Sequence, residues 1–265
     1  MSKFTLGEIN IYPVKSFAGF SLDRVQLDRF GPTGDRRWML VDESGVAITQ
    51  RDQPRLALIK TGLRPSGLGL QLEGDQIELS IPDAQADKCR VKVWGDKVTA
   101  LDSGDEAAAW LAERLYVDCR LVYMPDDGIR PVDGNYASAG ETVGFADAFP
   151  LLLISRASLD DLNHRMEIPV PMNRFRPNLV VTGCEAFAED SWKRIRIGEV
   201  EFDVAKPCDR CVMPSIDQAT GEKDKNINRV LASFRRRDGK IYFGQNLLYQ
   251  GLGKLHLSQP LEVLE

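Results

Sequence analysis

Histidine is almost missing from this sequence: His164 and His256 are the two among 265 residues, and they share no ligand spacing. Zinc centres draw four ligands, commonly from paired cysteines and histidines. Cys89, Cys119 and Cys184 each stand alone, so the composition argues against structural zinc. No apolar run approaches bilayer-spanning length, and Leu151 to Ile154 falls far short. Met1 to Asn10 lacks the charged, apolar and small-residue order of a signal peptide. Nor is there a basic excess; the net charge of −5 argues against general nucleic-acid binding. The cluster Arg235-Arg236-Arg237 is local and reads as a solvated helix end or an anion site. Repeats and low-complexity tracts are absent. An odd, scattered set of five cysteines is the usage of a reducing compartment. The expectation is a cytoplasmic protein with no membrane and no nucleic-acid partner.

What is present is a succession of short alternating segments. Leu70 and Leu72, then Ile77, Leu79 and Ile81, alternate around Glu73-Gly74-Asp75-Gln76. Ile195 and Ile197, then Val200, Phe202 and Val204, flank the Gly-first loop Gly198-Glu199. Val91, Val93 and Val98 flank Gly95-Asp96 in the same way. Closely spaced hairpins favour an antiparallel barrel or sandwich. Three stretches have helical spacing: Ala107 to Leu115 after caps at Asp102 and Ser103, Leu159 to Met166 from Ser155 or Ser158, and Ile227 to Phe234. A hydrophobic content of 43% is enough for a core, and the length suits one large or two modest domains. A boundary is expected in the region 95–130.

The densest chemical signal is Lys206-Pro207-Cys208-Asp209-Arg210-Cys211. A guanidinium beside a thiol favours the thiolate, which binds soft metals and attacks electrophiles. Pro207 and Pro214 argue for a turn or extended loop. A thioredoxin-type dithiol wants a helix start after the pair, which Ser215-Ile216-Asp217-Gln218 does not supply. Two readings of the residues remain open: packed loop cysteines, or one thiolate ligating a metal whose cofactor brings its other ligands.

Several segments together resemble the MOSC proteins, especially the amidoxime-reducing components and their bacterial YcbX-like relatives. They are Ile11-Tyr12-Pro13-Val14-Lys15-Ser16, Gly34-Asp35-Arg36-Arg37-Trp38-Met39-Leu40-Val41-Asp42 and Thr49-Gln50-Arg51. The later ones are Phe149-Pro150-Leu151-Leu152-Leu153-Ile154-Ser155, Ala157-Ser158-Leu159, Arg174-Phe175-Arg176-Pro177-Asn178, Glu189-Asp190-Ser191-Trp192, Cys208-Asp209-Arg210-Cys211 and Phe243-Gly244-Gln245-Asn246. Their number, order and separation set the likeness apart from chance.

The resemblance implies a mainly β protein with two β-barrel-like domains and a few short helices. These are an N-terminal MOSC barrel over residues 1–120 and a MOSC domain over 121–265. It implies the molybdenum cofactor in its plain molybdopterin form, with Cys211 as metal ligand and Cys208 as a packed turn residue. Lys15, Ser16, Arg36, Arg176, Asn178 and Arg210 are placed around the cofactor, whose phosphate suits cationic donors. Asp147 is placed as a catalytic acid near the metal. The activity implied is reduction of small N-hydroxylated compounds, independent of pyridoxal phosphate. No four-cysteine cluster pattern is present, so electrons are expected from a separate reductase or a ferredoxin- or cytochrome-like protein. The alternative is a sulfur carrier with a persulfide on Cys211. Two departures stand out. Ala148 replaces a threonine of the eukaryotic reductases, and Asp209 replaces a serine and could repel phosphate unless it points away or pairs with Arg210.

Overall fold

The computed structural model describes residues 4–138 and 140–265. Residues 1–3, part of the stretch read for a signal pattern, lie outside them. A strand apolar on one face must bury that face, and closing a sheet on itself does so without leaving edges. Here seven strands form the ring: Leu151–Ser155, Leu179–Thr182, Phe4–Ile11, Pro260–Val263, Arg194–Ile197, Val200–Asp209 and Lys240–Tyr249. The last pairs back onto the first through Leu151↔Leu247 and Leu153↔Gln245. Leu6, Ile9, Leu153, Leu179, Ile195 and Phe202 are among the side chains filling the core. The first described strand therefore completes a barrel otherwise built from residues 151–263. A cut at 120/121 puts one strand of this ring on its N-terminal side and the other six on its C-terminal side.

The other half is a half-barrel. One sheet runs Trp38–Val41, Arg120–Tyr123, Asp96–Asp102, Lys88–Val93; a second runs Lys60–Arg64, Gly67–Leu72, Asp75–Ser80. Helix α1 (Asp105–Leu115) covers them, burying Ala107, Leu111 and Leu115 against Trp38, Leu68 and Leu121. Helices α2 (Arg156–His164) and α3 (Asn226–Arg235) pack with Phe175 and Phe243, whose rings lie 4.4 Å apart. Met166 falls just beyond α2 yet joins the same cluster.

Local chemistry explains where the sequence expectations shift. The Glu73–Gln76 loop narrows to Glu73-Gly74, because Leu72 pairs with Asp75; both loop residues have positive φ, as a tight hairpin requires. Gly198 takes φ 59 at the first loop position, as expected. At the third hairpin Val93 pairs with Asp96, so the loop is Trp94-Gly95 rather than Gly95-Asp96. Trp94, not a glycine, occupies the left-handed position, with φ 56. Helix α1 is capped by Gly104 rather than Asp102 or Ser103. The Asp102 carboxylate instead accepts from the Gly104 N–H at 2.7 Å and holds Arg120. Ser155 does cap α2, accepting from the Ser158 N–H at 3.0 Å. Pro207 and Cys208 lie inside a strand rather than a loop; a proline fits there because the ladder is irregular on both sides of it. Arg235 ends α3 and pairs inward with Asp190 at 2.6 Å, while Arg236 and Arg237 are exposed. Among the described residues no helix is long and apolar enough to cross a membrane.

Candidate functional site

Where barrel and half-barrel meet, a cleft of about 830 Å³, mouth included, is lined by Lys15, Ser16, Arg36, Asp147, Arg176, Asn178, Arg210 and Cys211. Every site residue expected from the sequence reaches it. Three of them, Ser16, Arg36 and Arg176, sit at positive φ (68, 45 and 54), and Trp94 joins them at the rim. Such backbone costs about 1–3 kcal/mol per non-glycine residue and persists where surroundings over-determine it.

The surroundings are specific. The Arg36 N–H donates to the Tyr12 carbonyl at 2.8 Å. Its guanidinium donates to Asp35 at 2.5 Å, to Asn178 Oδ1 at 3.0 Å and to the Arg176 carbonyl at 3.2 Å. Arg176 donates to the Phe17 carbonyl at 2.6 Å. Both guanidiniums lie over the Tyr12 ring, at 4.3 and 4.2 Å from its centroid. Burial, opposed by these two arginines, pushes the Tyr12 phenol up to about 12, so the ring stays neutral at physiological pH. Burial and then the Arg36 charge bring Arg176 down to about 10. Asn178 borders the cleft, but its side chain is engaged by Arg36, the Leu152 N–H and the Asn10 carbonyl, so it positions Arg36.

Lys15 is buried and donates to the Phe145 carbonyl at 2.9 Å and to Asp147 at 2.5 Å. Burial lowers its pKa, and Asp147 opposes the shift. For Asp147, enclosure in the cleft raises the pKa. The Lys15 charge and hydrogen bond, with Arg51 and Trp94, outweigh this and hold it well below the usual carboxylate range. A depressed carboxylate contributes stability that is present above the unfolded value near 3.9 and lost as pH falls toward the folded one. Because the carboxylate is 66% exposed, the pair stabilises the fold by about 1 kcal/mol or less. Melting of wild type and Asp147→Asn from pH 6 downward should show a small wild-type advantage. It should begin to close below about pH 4; a constant gap would assign the effect to packing.

The two cysteines are held differently. Arg210 donates to Cys208 Sγ at 3.0 Å, whereas Arg51 donates to Cys211 Sγ at 3.2 Å. Arg210 thus holds the Cys208 thiol and not that of its sequence neighbour Cys211, which lies past the strand end and is met by Arg51 from the half-barrel. Burial raises the Cys208 thiol pKa, with Arg210 opposing. Asp209 does not pair with Arg210; it borders the cleft with its carboxylate held by Lys240 at 3.1 Å.

Three residues outside the expected set matter. Arg51 stacks over the Trp94 ring at 4.5 Å, and the Trp94 indole donates to Asp147 at 3.3 Å. Arg130 donates to the carbonyls of Gly144, Ala146 and Asp147 and to the Asp96 carboxylate, fixing the loop that carries Asp147. Arg51 was visible in Thr49-Gln50-Arg51. Trp94 was hidden behind the expectation of glycine at the turn, and Arg130 carried no sequence signal.

The donor set suits an anionic, soft-metal group. Lys15, Arg36, Arg51, Arg176 and Arg210 line the cleft against Asp147 and Asp209, and Arg210 Nε is buried with no hydrogen-bond partner. No group of three or more His, Cys, Asp or Glu converges among the described residues. Two cysteines line the cleft: Cys208 is half-buried and held by Arg210, and Cys211 is the exposed one.

Comparison with known proteins points the same way. The family model described as MOSC N-terminal beta barrel domain matches residues 3–118, and that described as MOSC domain matches 140–261. Mitochondrial amidoxime-reducing component 1 of Mus musculus is 33% identical over 280 residues, covering 98% of this chain and 82% of that protein. Mitochondrial amidoxime reducing component 2 of Bos taurus is 36% identical over 281 residues, covering 97% and 82%. The molybdenum cofactor sulfurase of Oryza sativa subsp. japonica is 34% identical over 274 residues, covering 95% of this chain but 33% of that protein.

Proposed function

Because the chain belongs to the MOSC family, we propose that it is a molybdenum-cofactor oxidoreductase that reduces N-hydroxylated compounds. The observation that carries this reading is an exposed Cys211 thiol facing a cleft with five cationic side chains. Bound there, the cofactor would supply the two-electron chemistry that cleaves an N–O bond. With the chain divided at 1–120 and 121–265, both halves furnish the site. Lys15, Ser16 and Arg36 come from the first, and Asp147, Arg176, Arg210 and Cys211 from the second.

Cys211 would ligate the metal, soft sulfur suiting molybdenum. Arg36, Arg176 and Arg210 would hold the anionic part of the cofactor, with Asn178 fixing Arg36. A second cavity, about 1010 Å³ with its mouth, shares Arg51, Asp147, Ala148, Asp209 and Cys211 with the cleft. It gives the substrate a route to the same thiol. Reduction consumes two electrons and two protons and releases amine and water. Asp147, hydrogen-bonded to Lys15, would relay those protons from solvent.

The test is protein made in a host that supplies the cofactor, assayed for molybdenum per chain and for reduction of a hydroxylaminopurine by a reduced dye. Near-stoichiometric metal with turnover is expected; metal-loaded protein without turnover would sink the reductase reading. A second reading, a persulfide carrier, is favoured by the exposure of the Cys211 thiol and by the likeness to the sulfurase. A one-sulfur mass increment on the Cys211 peptide in metal-free protein would select it.

A further inference from the structure

The chain is acidic overall, at −5, yet residues 222–240 hold seven Lys or Arg against three Asp or Glu. This basic stretch is wrapped around the Cys211 segment. On one side α3 touches it: the Asn228 amide donates to the Cys211 carbonyl at 3.2 Å. Just before α3, Lys223 Nζ donates to the Arg51 carbonyl at 3.3 Å. On the other side the hairpin Arg236–Lys240 continues into the strand whose Ile241 carbonyl accepts from the Arg210 N–H at 2.7 Å. Lys223, Lys225, Arg229, Arg236, Arg237 and Lys240 are all exposed. Among them only Lys240 is held by a carboxylate of the described residues, Asp209. Beside the thiol, Val212 is 52% exposed, and across it Trp94 is 50% exposed.

An apolar centre with a charged rim is the anatomy of a protein-docking patch. We infer that this face docks an acidic electron-carrier protein, seating its redox centre against the Cys211 segment. The inference rests on the reductase reading above and names where its electrons enter. Each turnover needs two electrons, delivered singly by two reduced carrier molecules or by one carrier in two steps. The carrier leaves oxidised, and the substrate leaves as amine and water. The acidic remainder of the surface repels such a partner, so the basic face orients it.

The probe is an acidic plant-type [2Fe–2S] ferredoxin, titrated calorimetrically in oxidised form into cofactor-loaded full-length protein at low salt. Micromolar binding is expected. It should weaken about tenfold in the charge-reversal pairs Arg236→Glu/Arg237→Glu and Lys225→Glu/Arg229→Glu, and fade with added salt. Lys88→Glu, exposed on a half-barrel strand, should bind as wild type. In turnover the same pairs should raise the KM for reduced ferredoxin and leave dithionite-driven N–O reduction unchanged. Absent binding, binding indifferent to these reversals, or capture of anionic lipid vesicles in place of ferredoxin would overturn the inference. If dithionite drives no reduction even in the wild type, the reductase reading fails while the binding result stands by itself.

Discussion

Replacing Cys211 with alanine is expected to take molybdenum content from near one per chain to background, whereas Cys208→Ala retains the metal. The two thiols are three residues apart but differ in surroundings. Cys211 Sγ is exposed and touched by Arg51, so nothing in the fold depends on it, and Cys211→Ala should melt within about 0.5 kcal/mol of wild type. Cys208 Sγ is held by Arg210 from a strand that pairs with Lys240–Tyr249. Its loss removes one of Arg210's acceptors while the Phe175 carbonyl, at 2.8 Å, keeps the guanidinium in place. Cys211→Ser adds a finer discrimination. A hydroxyl is a harder, less acidic ligand than a thiol, so the serine variant should lose most of its metal even though its shape is nearly unchanged. Elemental mass spectrometry on the three variants and wild type reads all of this directly. Metal persisting in Cys211→Ala, or lost equally from Cys208→Ala, would remove Cys211 from its role as sole protein ligand.

The sequence showed the barrel class because its devices are local. Gly198 at a hairpin turn, the alternation of Leu70, Leu72, Ile77 and Leu79, and Ser155 before α2 each act within a few residues. Closure of the ring was not legible in the same way. Pairing of Phe4–Ile11 with Pro260–Val263 joins segments from opposite ends of the chain, and no local pattern encodes such a partner. The site divides along the same line. Residues carried by dense motifs, such as Arg176 in Arg174-Phe175-Arg176-Pro177-Asn178, stood out by resemblance, and the structure brings them to one cleft. What the motifs could not give is which guanidinium meets which thiol. Arg210 is one residue from Cys211, yet a strand-end turn sends the two side chains to different partners, and Arg51 arrives from the other half of the chain.

Arg130→Ala is expected to destabilise the protein by about 3 kcal/mol, more than loss of a typical hydrogen bond, because its side chain satisfies several buried groups at once. The side chain is 3% exposed. Its guanidinium serves the carbonyls of Gly144, Ala146 and Asp147, and its Nε pairs with Asp96 at 2.8 Å. Truncation strands the carbonyls without donors. Asp96, half exposed, can turn to water, so Asp96→Asn should cost about 1 kcal/mol or less. For a chain of this size 3 kcal/mol corresponds to a fall in melting temperature of roughly 6–12 °C. Arg130→Lys keeps the charge but not the planar fork, and should recover only part of the loss. The damage should also reach the site. The loop held by Arg130 presents both the Phe145 carbonyl and the Asp147 carboxylate to Lys15. Arg130→Ala should therefore lower molybdenum occupancy at temperatures where the variant is still folded. Calorimetry and metal content measured on the same preparations separate the two effects. A normal melting temperature would show that the carbonyls find other donors. A lowered melting temperature with full metal content would confine Arg130 to the fold.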